Sequence, residues 1–165
     1  MGSLSGSADS GHDAEAMVNA VLTASRLLFA VSARSLAAVE ETLTLPQFRM
    51  LVALHVRGTL SLSLLAAELD VQPSTAMRML DRLIAAEMVT RAMSPTDRRM
   101  TLISLTGKGT RTVTRATERR RTEIARIVAA MPVRQRHDLI DALQAFTEAG
   151  AEPSVRPAGS LDLGW

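Results

Sequence analysis

Residues 60–105 carry the pattern that most restricts the fold of this chain. Two short helices are predicted there, Ser63–Leu69 and Pro73–Ala86, with a tight turn between them. Two strands are predicted next, Val89–Met93 and Met100–Ser104, and the turn residues between them predict a hairpin with an arginine-rich tip. Helix, turn, helix and basic hairpin in this order make a compact module, in which the second helix must pack on the first helix and the hairpin.

The second of these helices has two different sides. Ala76, Leu80, Leu83 and Ile84 form an apolar stripe, which predicts the side that faces the core. The polar residues on the opposite side are Ser74, Thr75, Arg78 and Arg82. A helix divided in this way can lie on a core and offer polar groups to base edges in a major groove, while a basic hairpin reaches the minor groove. The module therefore indicates DNA binding.

Positive charge is concentrated on the same part of the chain. Residues 72–126 contain 11 Arg and one Lys against five acids, a net charge of +7. Residues 1–71 carry −3 and residues 127–165 carry −2, although the whole chain carries only +2. A localised basic surface suits a polyanion, and the alternative is a charge-rich surface in contact with solvent only.

Several function classes lack their signature. Cysteine is absent, which excludes disulfides and thiolate metal sites. His12, His55 and His137 are scattered, and neither a phosphate-binding glycine loop nor a Gly-x-Ser-x-Gly turn occurs. We therefore expect no enzyme activity, no cofactor and no metal. No uninterrupted apolar run reaches the ~18 residues of a membrane span, and a polar Gly/Ser-rich start is unlike a secretory signal, so a cytoplasmic protein is expected.

The remaining predicted helices flank this module. Residues 1–13 are expected to be disordered, because they lack a periodic apolar pattern. The helix that follows is apolar nearly all round, which calls for cover by a partner chain. A short strand is expected near Leu60 and Leu62, with Ser63 as the N-cap of the next helix. The other predicted helices are Ala14–Glu41, Pro46–Gly58, 107–130 behind an N-cap at Thr106, and Val133–Ala149.

Over about residues 15–148, the chain resembles the MarR family (multiple antibiotic resistance regulators). The resemblance is carried by four segments in the right order: Leu43-Thr44-Leu45-Pro46-Gln47-Phe48; Leu65-Ala66-Ala67 with Val71 and Pro73-Ser74-Thr75; Asp97-Arg98-Arg99; and Leu105-Thr106.

The resemblance implies a mainly α, winged helix-turn-helix fold, with six helices and a small antiparallel β-wing, in a homodimer. The domain then covers residues 14–149, with a DNA-binding lobe at about 46–105, and residues 150–165 form a tail. Helices at about 14–41 and 106–149 form the dimer. The implied function is that of a ligand-responsive repressor, which binds a pseudo-palindromic operator in double-stranded DNA and is released by a small aromatic or anionic effector.

The chain departs from the family pattern at five positions. Asp70 and Glu87 stand where the family commonly has glycine, at points that need a left-handed backbone. Met77 replaces a polar residue of the recognition helix, Gln72 replaces a better N-cap, and Gly107 replaces a helix-opening proline. Met77 and Glu87 keep open an alternative function, a dimeric winged-helix module for protein–protein contact.

The wing tip supplies three predicted DNA contacts. The guanidinium of Arg99 can enter the narrow minor groove, and the carboxylate of Asp97 can orient it through a charge-assisted hydrogen bond. Arg98 can contact phosphate or remain solvated. The alternative for the pair is a solvated turn, in which the ion pair contributes ~0–1 kcal/mol.

The recognition helix supplies the other predicted contacts. Arg78 is the candidate for direct readout, since arginine binds guanine in the major groove with two hydrogen bonds. Ser74 and Thr75 lie at the helix N-terminus, where phosphate positioning is favoured over base reading. Gln72 can reach either a base or a phosphate, and Arg82 lies on the same polar side. The alternative is a plain solvent-exposed face.

Four residues form a hypothetical effector pocket between the dimer helices and the DNA-binding lobe. They are Arg26, Phe48, Met50 and His55. The alternative for His55 is a core or interface histidine, and for Arg26 a structural salt bridge. Arg119, Arg120 and Arg121 form a charge run, which usually indicates a solvated face.

Overall fold

The computed structural model describes residues 6–94 and 100–150, with side chains from His12 onward. This part of the chain forms six helices and three strands. In chain order they are α1 Gly6–Ala37, α2 Leu45–Arg57, β1 Leu60–Ser61, α3 Leu62–Glu68, α4 Pro73–Ala85, β2 Val89–Met93, β3 Thr101–Leu105, α5 Gly107–Ala129 and α6 Val133–Ala149. The mainly helical winged helix-turn-helix architecture is therefore confirmed.

Two predicted helix starts were wrong. Residues 6–13, expected to be disordered, continue α1 toward the N-terminus, since each residue added to an existing helix gains a hydrogen bond at low cost. The N-cap of α3 is Ser61, whose hydroxyl accepts from the backbone N–H of Leu64 at 3.3 Å, and Ser63 lies inside the helix. Ser61 pairs with Leu102 in the sheet, so the strand passes directly into the helix.

The three strands form an antiparallel sheet in the order β1-β3-β2. Leu60 pairs with Ile103, and Val89 pairs with Leu105, which extends β3 one residue beyond its predicted end. The backbone N–H of Ser94 donates to the carbonyl of Met100 at 2.8 Å, at the base of the wing. The sheet therefore holds the wing hairpin beside the two helices of the motif.

One core joins the helix-turn-helix to the sheet and to the first turns of α5. Its fully buried members include Phe48 of α2, Leu65 of α3, Leu83 of α4 and Val113 of α5. At the start of α2, the Thr44 hydroxyl and the Gln47 side chain cap each other's backbone N–H groups. The recognition helix α4 thus packs on α2, α3 and β2.

The helices of the motif both end on a left-handed residue that is not glycine. Asp70 has φ of 52° and Glu87 has φ of 59°, as the departures from the family pattern predicted. Both ends are Schellman motifs: Val71 N–H donates to the Ala66 carbonyl, and Met88 N–H donates to the Leu83 carbonyl. The left-handed backbone costs each acidic residue about 1–2 kcal/mol, which the hydrogen bonds and the packing must offset.

The outer helices carry apolar side chains that nothing in the described chain covers. Side chains of α6 are all exposed or half-buried. The large exposed hydrophobic residues of α1 and α6 are Met17, Val18, Leu22, Leu27, Leu28, Phe29, Val133, Ile140, Leu143 and Phe146. The segment His12–Ala37 is long and apolar enough to cross a membrane by length and composition, a test that signal sequences and core helices also pass.

Candidate nucleic-acid interface

The recognition helix α4 shows the two-sided arrangement that its sequence predicts. Ala76, Leu80 and Leu83 have at most 1% exposure, and Ile84 is half-buried. On the outer side Ser74, Arg78 and Arg82 are exposed and Thr75 is half-buried. The structure therefore brings four of the predicted DNA-contacting residues together on one face of a helix.

Arg78 lies at the centre of that outer face. Its Nη2 donates to the hydroxyl of Thr75 at 3.3 Å, one turn earlier. This contact holds the guanidinium along the helix surface, with its remaining N–H groups free to meet the edge of a guanine.

Gln72 is the N-cap residue of α4, and its side chain makes no capping hydrogen bond. The amide is exposed at the positive end of the helix dipole, beside Pro73. This is the geometry of a group that can meet a phosphate at the edge of a groove.

Sequence reasoning missed Asp81 on this face and Arg91 on the wing. Asp81 is exposed one turn after Arg78, and the i, i+3 spacing from Arg78 was the available signal. A carboxylate there can accept from cytosine N4. Arg91 is exposed on β2 opposite Ile103 and adds positive charge to the wing.

Three predicted contacts belong to the wing tip. Asp97, Arg98 and Arg99 lie outside the described residues. The described chain reaches Ser94 on one side and Met100 on the other, which are joined by a backbone hydrogen bond, and Met93 and Met100 are exposed there. The minor-groove contact of Arg99, its orientation by Asp97 and the phosphate contact of Arg98 therefore stay predictions.

The four residues of the hypothetical effector pocket lie in different environments. Phe48 and Met50 are fully buried in the core, because their helix lies beneath the helix-turn-helix. His55 is half-buried near the end of α2. Arg26 is exposed on α1, where its Nη2 lies 3.5 Å from the Thr23 hydroxyl.

A cavity of about 550 Å³ lies instead between α1 and α5. Ser35 is 3% exposed, and its hydroxyl has no hydrogen-bond partner among the described residues. Arg34 and Glu123 form an ion pair of 3.3 Å at the rim. The lining residues are Arg34, Ser35, Ala38, Arg115, Glu118, Arg119, Thr122, Glu123 and Arg126. Four arginines against two glutamates make this an anion-attracting cavity, and the four predicted pocket residues do not line it.

The arginine run on α5 is only partly a solvated face. Arg119 and Arg121 are exposed, whereas Arg120 is half-buried and its desolvation lowers the pKa of the guanidinium. Arg119 lines the cavity described above. The run therefore divides between the cavity, the interior and solvent.

Known proteins resemble this chain in both sequence and fold. The MarR family model matches residues 43–101. The structure of RV1404 from Mycobacterium tuberculosis is 53% identical, with a TM-score of 0.79 over 84% of this chain and 94% of that one. The HTH-type transcriptional regulator YhbI of Bacillus subtilis is 35% identical over 74 residues, so the match spans 45% of this chain and 48% of YhbI.

A more distant structure shares the fold. It is a mutant of S. aureus MepR bound to an oligodeoxyribonucleotide, and it is 18% identical to this chain. The TM-score is 0.64, and the match covers 81% of this chain and 96% of that one. The matched segment 43–101 contains the helix-turn-helix and its flanking strands, and the likeness to RV1404 extends over nearly all of that protein. This chain therefore belongs to the MarR family of winged helix-turn-helix transcriptional regulators.

Proposed function

We propose that this protein is a sequence-specific DNA-binding regulator that represses transcription as a homodimer on a pseudo-palindromic operator. The observation that carries the proposal is the outer face of α4. Its polar residues lie together opposite the apolar stripe that packs into the core: Ser74, Thr75, Arg78 and Arg82. Membership of the MarR family supports it, as does the oligodeoxyribonucleotide bound to S. aureus MepR, which has the same fold.

A second copy of the chain is the proposed cover for α1 and α6. A 17-residue helix without buried side chains is marginal on its own in water, so α6 needs a partner surface. A membrane span is a poor alternative for α1, because Arg26 would cost about 2.5–3.5 kcal/mol at the bilayer centre. In a two-fold symmetric dimer the two α4 helices meet half-sites ~10 bp apart. We place the protein in the cytoplasm with its DNA.

The experiment that tests the proposal is a gel shift with duplex DNA from upstream of the protein's own gene. We expect a retarded complex at low ionic strength, with an affinity that falls steeply as salt rises, because phosphate contacts release counterions. Absence of binding to every promoter fragment would contradict the proposal and favour the protein-contact function that exposed Met77 left open.

Replacing Arg78 by alanine is expected to relax base preference. The loss of a two-bond guanine contact should weaken operator binding by about 1–3 kcal/mol and leave binding to random duplex nearly unchanged. Titration of both duplexes measures the difference. The control is Arg49→Ala, which removes the same charge from the exposed side of α2. An equal loss on operator and random DNA would assign Arg78 to phosphate.

The finer proposal is release by a small aromatic acid bound in the α1–α5 cavity. The four lining arginines suit a carboxylate, as does the Ser35 hydroxyl, which has no partner among the described residues. The cavity volume lies within the range of about 300–1,000 Å³ that small-molecule sites have. Benzoate-class acids are therefore expected to lower operator affinity of the wild-type protein.

In this assay, Arg119→Ala should abolish the response to the acid and leave the affinity for operator without ligand unchanged. Arg121→Ala is the matched control, because Arg121 is exposed on the same helix but does not line the cavity. If both variants respond as the wild-type protein does, the cavity is not the effector site.

A further inference from the structure

The end of the recognition helix is bound to the beginning of α5 by three consecutive backbone carbonyls. Lys108 Nζ donates to the carbonyl of Ala86 at 2.9 Å. The Thr106 hydroxyl donates to the carbonyl of Glu87 at 2.7 Å, and the Thr106 backbone N–H donates to that of Met88 at 3.0 Å. We call this contact the α4–α5 junction.

A single hydroxyl connects the two helix ends. While it donates to Glu87, the Thr106 hydroxyl also accepts from the backbone N–H of Gly109 at 3.1 Å, so it is the N-cap of α5 as well. The first turn of α5 thus cannot shift relative to the last turn of α4 without breaking a hydrogen bond.

The electrostatics of the junction are favourable. The carbonyl end of α4 carries partial negative charge, and it meets the N-terminal end of α5, which carries partial positive charge. Lys108 adds a full positive charge at the end of α4 while its side chain stays exposed. Because Lys108 is exposed, its hydrogen bond contributes little to the stability of the core. Its effect is on the direction of α4 relative to α5.

The two ends of α5 lie in different surroundings. Its 23 residues span about 35 Å. The first turn forms the junction, while Ile127 in the last turn is an exposed apolar residue, with 36% exposure. In the proposed dimer, α5 is therefore the rigid connection between the dimer interface and the recognition helix.

We propose that Lys108 and Thr106 are positioning residues that fix the direction of α4 relative to α5 and so determine which half-site spacing the dimer accepts. This inference rests on the proposed DNA-binding function. Two recognition helices that are held rigidly by their α5 helices fit one half-site spacing. Recognition helices that are held loosely can adjust to neighbouring spacings, and they then bind the preferred spacing with lower affinity.

The test compares Lys108→Met with the wild-type full-length protein on operators selected from random duplex. The half-site spacing of the selected operator is then lengthened or shortened by one base pair. We expect the wild-type protein to lose about tenfold in affinity per step, and the variant to lose about threefold or less. Lys108→Arg keeps a cationic donor and should restore the wild-type preference. Arg111→Met is the control, because it removes a charge from the same helix and leaves the bond to Ala86 intact.

Thr106→Val and Thr106→Ser give an independent comparison. Valine keeps the shape and removes the hydroxyl, so spacing preference should weaken, whereas serine keeps the hydroxyl and should retain it. Thermal unfolding of each variant separates a positioning role from a loss of stability.

The outcomes separate the inference from the function on which it rests. If the wild-type protein binds no duplex, the proposed function fails. If the wild-type protein binds and prefers one spacing, but Lys108→Met shows the same preference, the positioning role is overturned. A variant that loses affinity equally on all spacings would make Lys108 a phosphate contact and would also overturn the inference.

Discussion

Alanine in place of Gly109 should destabilise the protein by about 3 kcal/mol, near the upper end for an added methyl group in a packed site. A Cβ at this position would overlap the backbone oxygen of Met88. Because that neighbour is backbone rather than a flexible side chain, α5 must move away from α4 and lose hydrogen bonds of Thr106. The ~1 kcal/mol that alanine gains over glycine in a helix does not offset this. Thermal unfolding at a fixed protein concentration should show a midpoint about 10 °C lower.

Gly107→Ala is the matched control for this variant. Gly107 lies two residues earlier on the same helix, and an added Cβ would meet only the Arg111 Nη1 atom at 3.2 Å. That atom is the end of a flexible side chain and can rotate away. We expect the unfolding midpoint of Gly107→Ala to equal or exceed that of the wild-type protein. A midpoint for Gly109→Ala as high as that of Gly107→Ala would contradict the close contact between α4 and α5.

Aspartate in place of Phe146 is expected to convert the proposed dimer to monomers. Phe146 is 56% exposed in the single chain and is not part of the hydrophobic core, so the DNA-binding lobe should still fold. In the dimer each protomer would bury a carboxylate on an apolar surface, and two-fold symmetry doubles the cost. A total cost of about 4 kcal/mol raises the dimer dissociation constant by about 1,000-fold. Analytical sedimentation over a range of protein concentrations measures this dissociation constant. Operator affinity should fall as the dimer is lost, because one molecule no longer binds both half-sites together.

Gln144→Asp provides the control for charge and helix propensity. Gln144 is exposed two residues earlier, roughly 200° around α6 from Phe146. We expect this variant to remain dimeric and to bind operator. Dimers of Phe146→Asp as stable as those of the wild-type protein would place the interface elsewhere, and monomers in both variants would indicate a loss of α6 itself.

Local patterns predicted the DNA-binding lobe well. The start of α4 follows from Pro73, and the bounds of β2 agree with the predicted Val89–Met93. Outside the lobe, the bounds of α6 agree with the predicted Val133–Ala149. These elements are delimited by turn residues or proline, so local chemistry determines their ends. The left-handed backbone at Asp70 and Glu87 was also predicted, because the family pattern has glycine there.

Features that depend on distant contacts were harder to predict. Ser61 caps α3 because its strand pairs with β3, some forty residues later in the chain. Phe48 and Met50 were assigned to a pocket because an apolar helix face has the same appearance whether it lines a cavity or a core. The cavity between α1 and α5 combines residues about 80 positions apart, and no spacing rule brings those together.

Lys108 is the only lysine in a chain that contains 18 arginines. Amine-directed reagents therefore react with one side chain, which lies at the α4–α5 junction. A fluorescent succinimidyl ester would label this place without mutagenesis, apart from the terminal amine. Acylation of the same amine by a cellular acyl donor would remove its charge and the cationic donor at the end of α4.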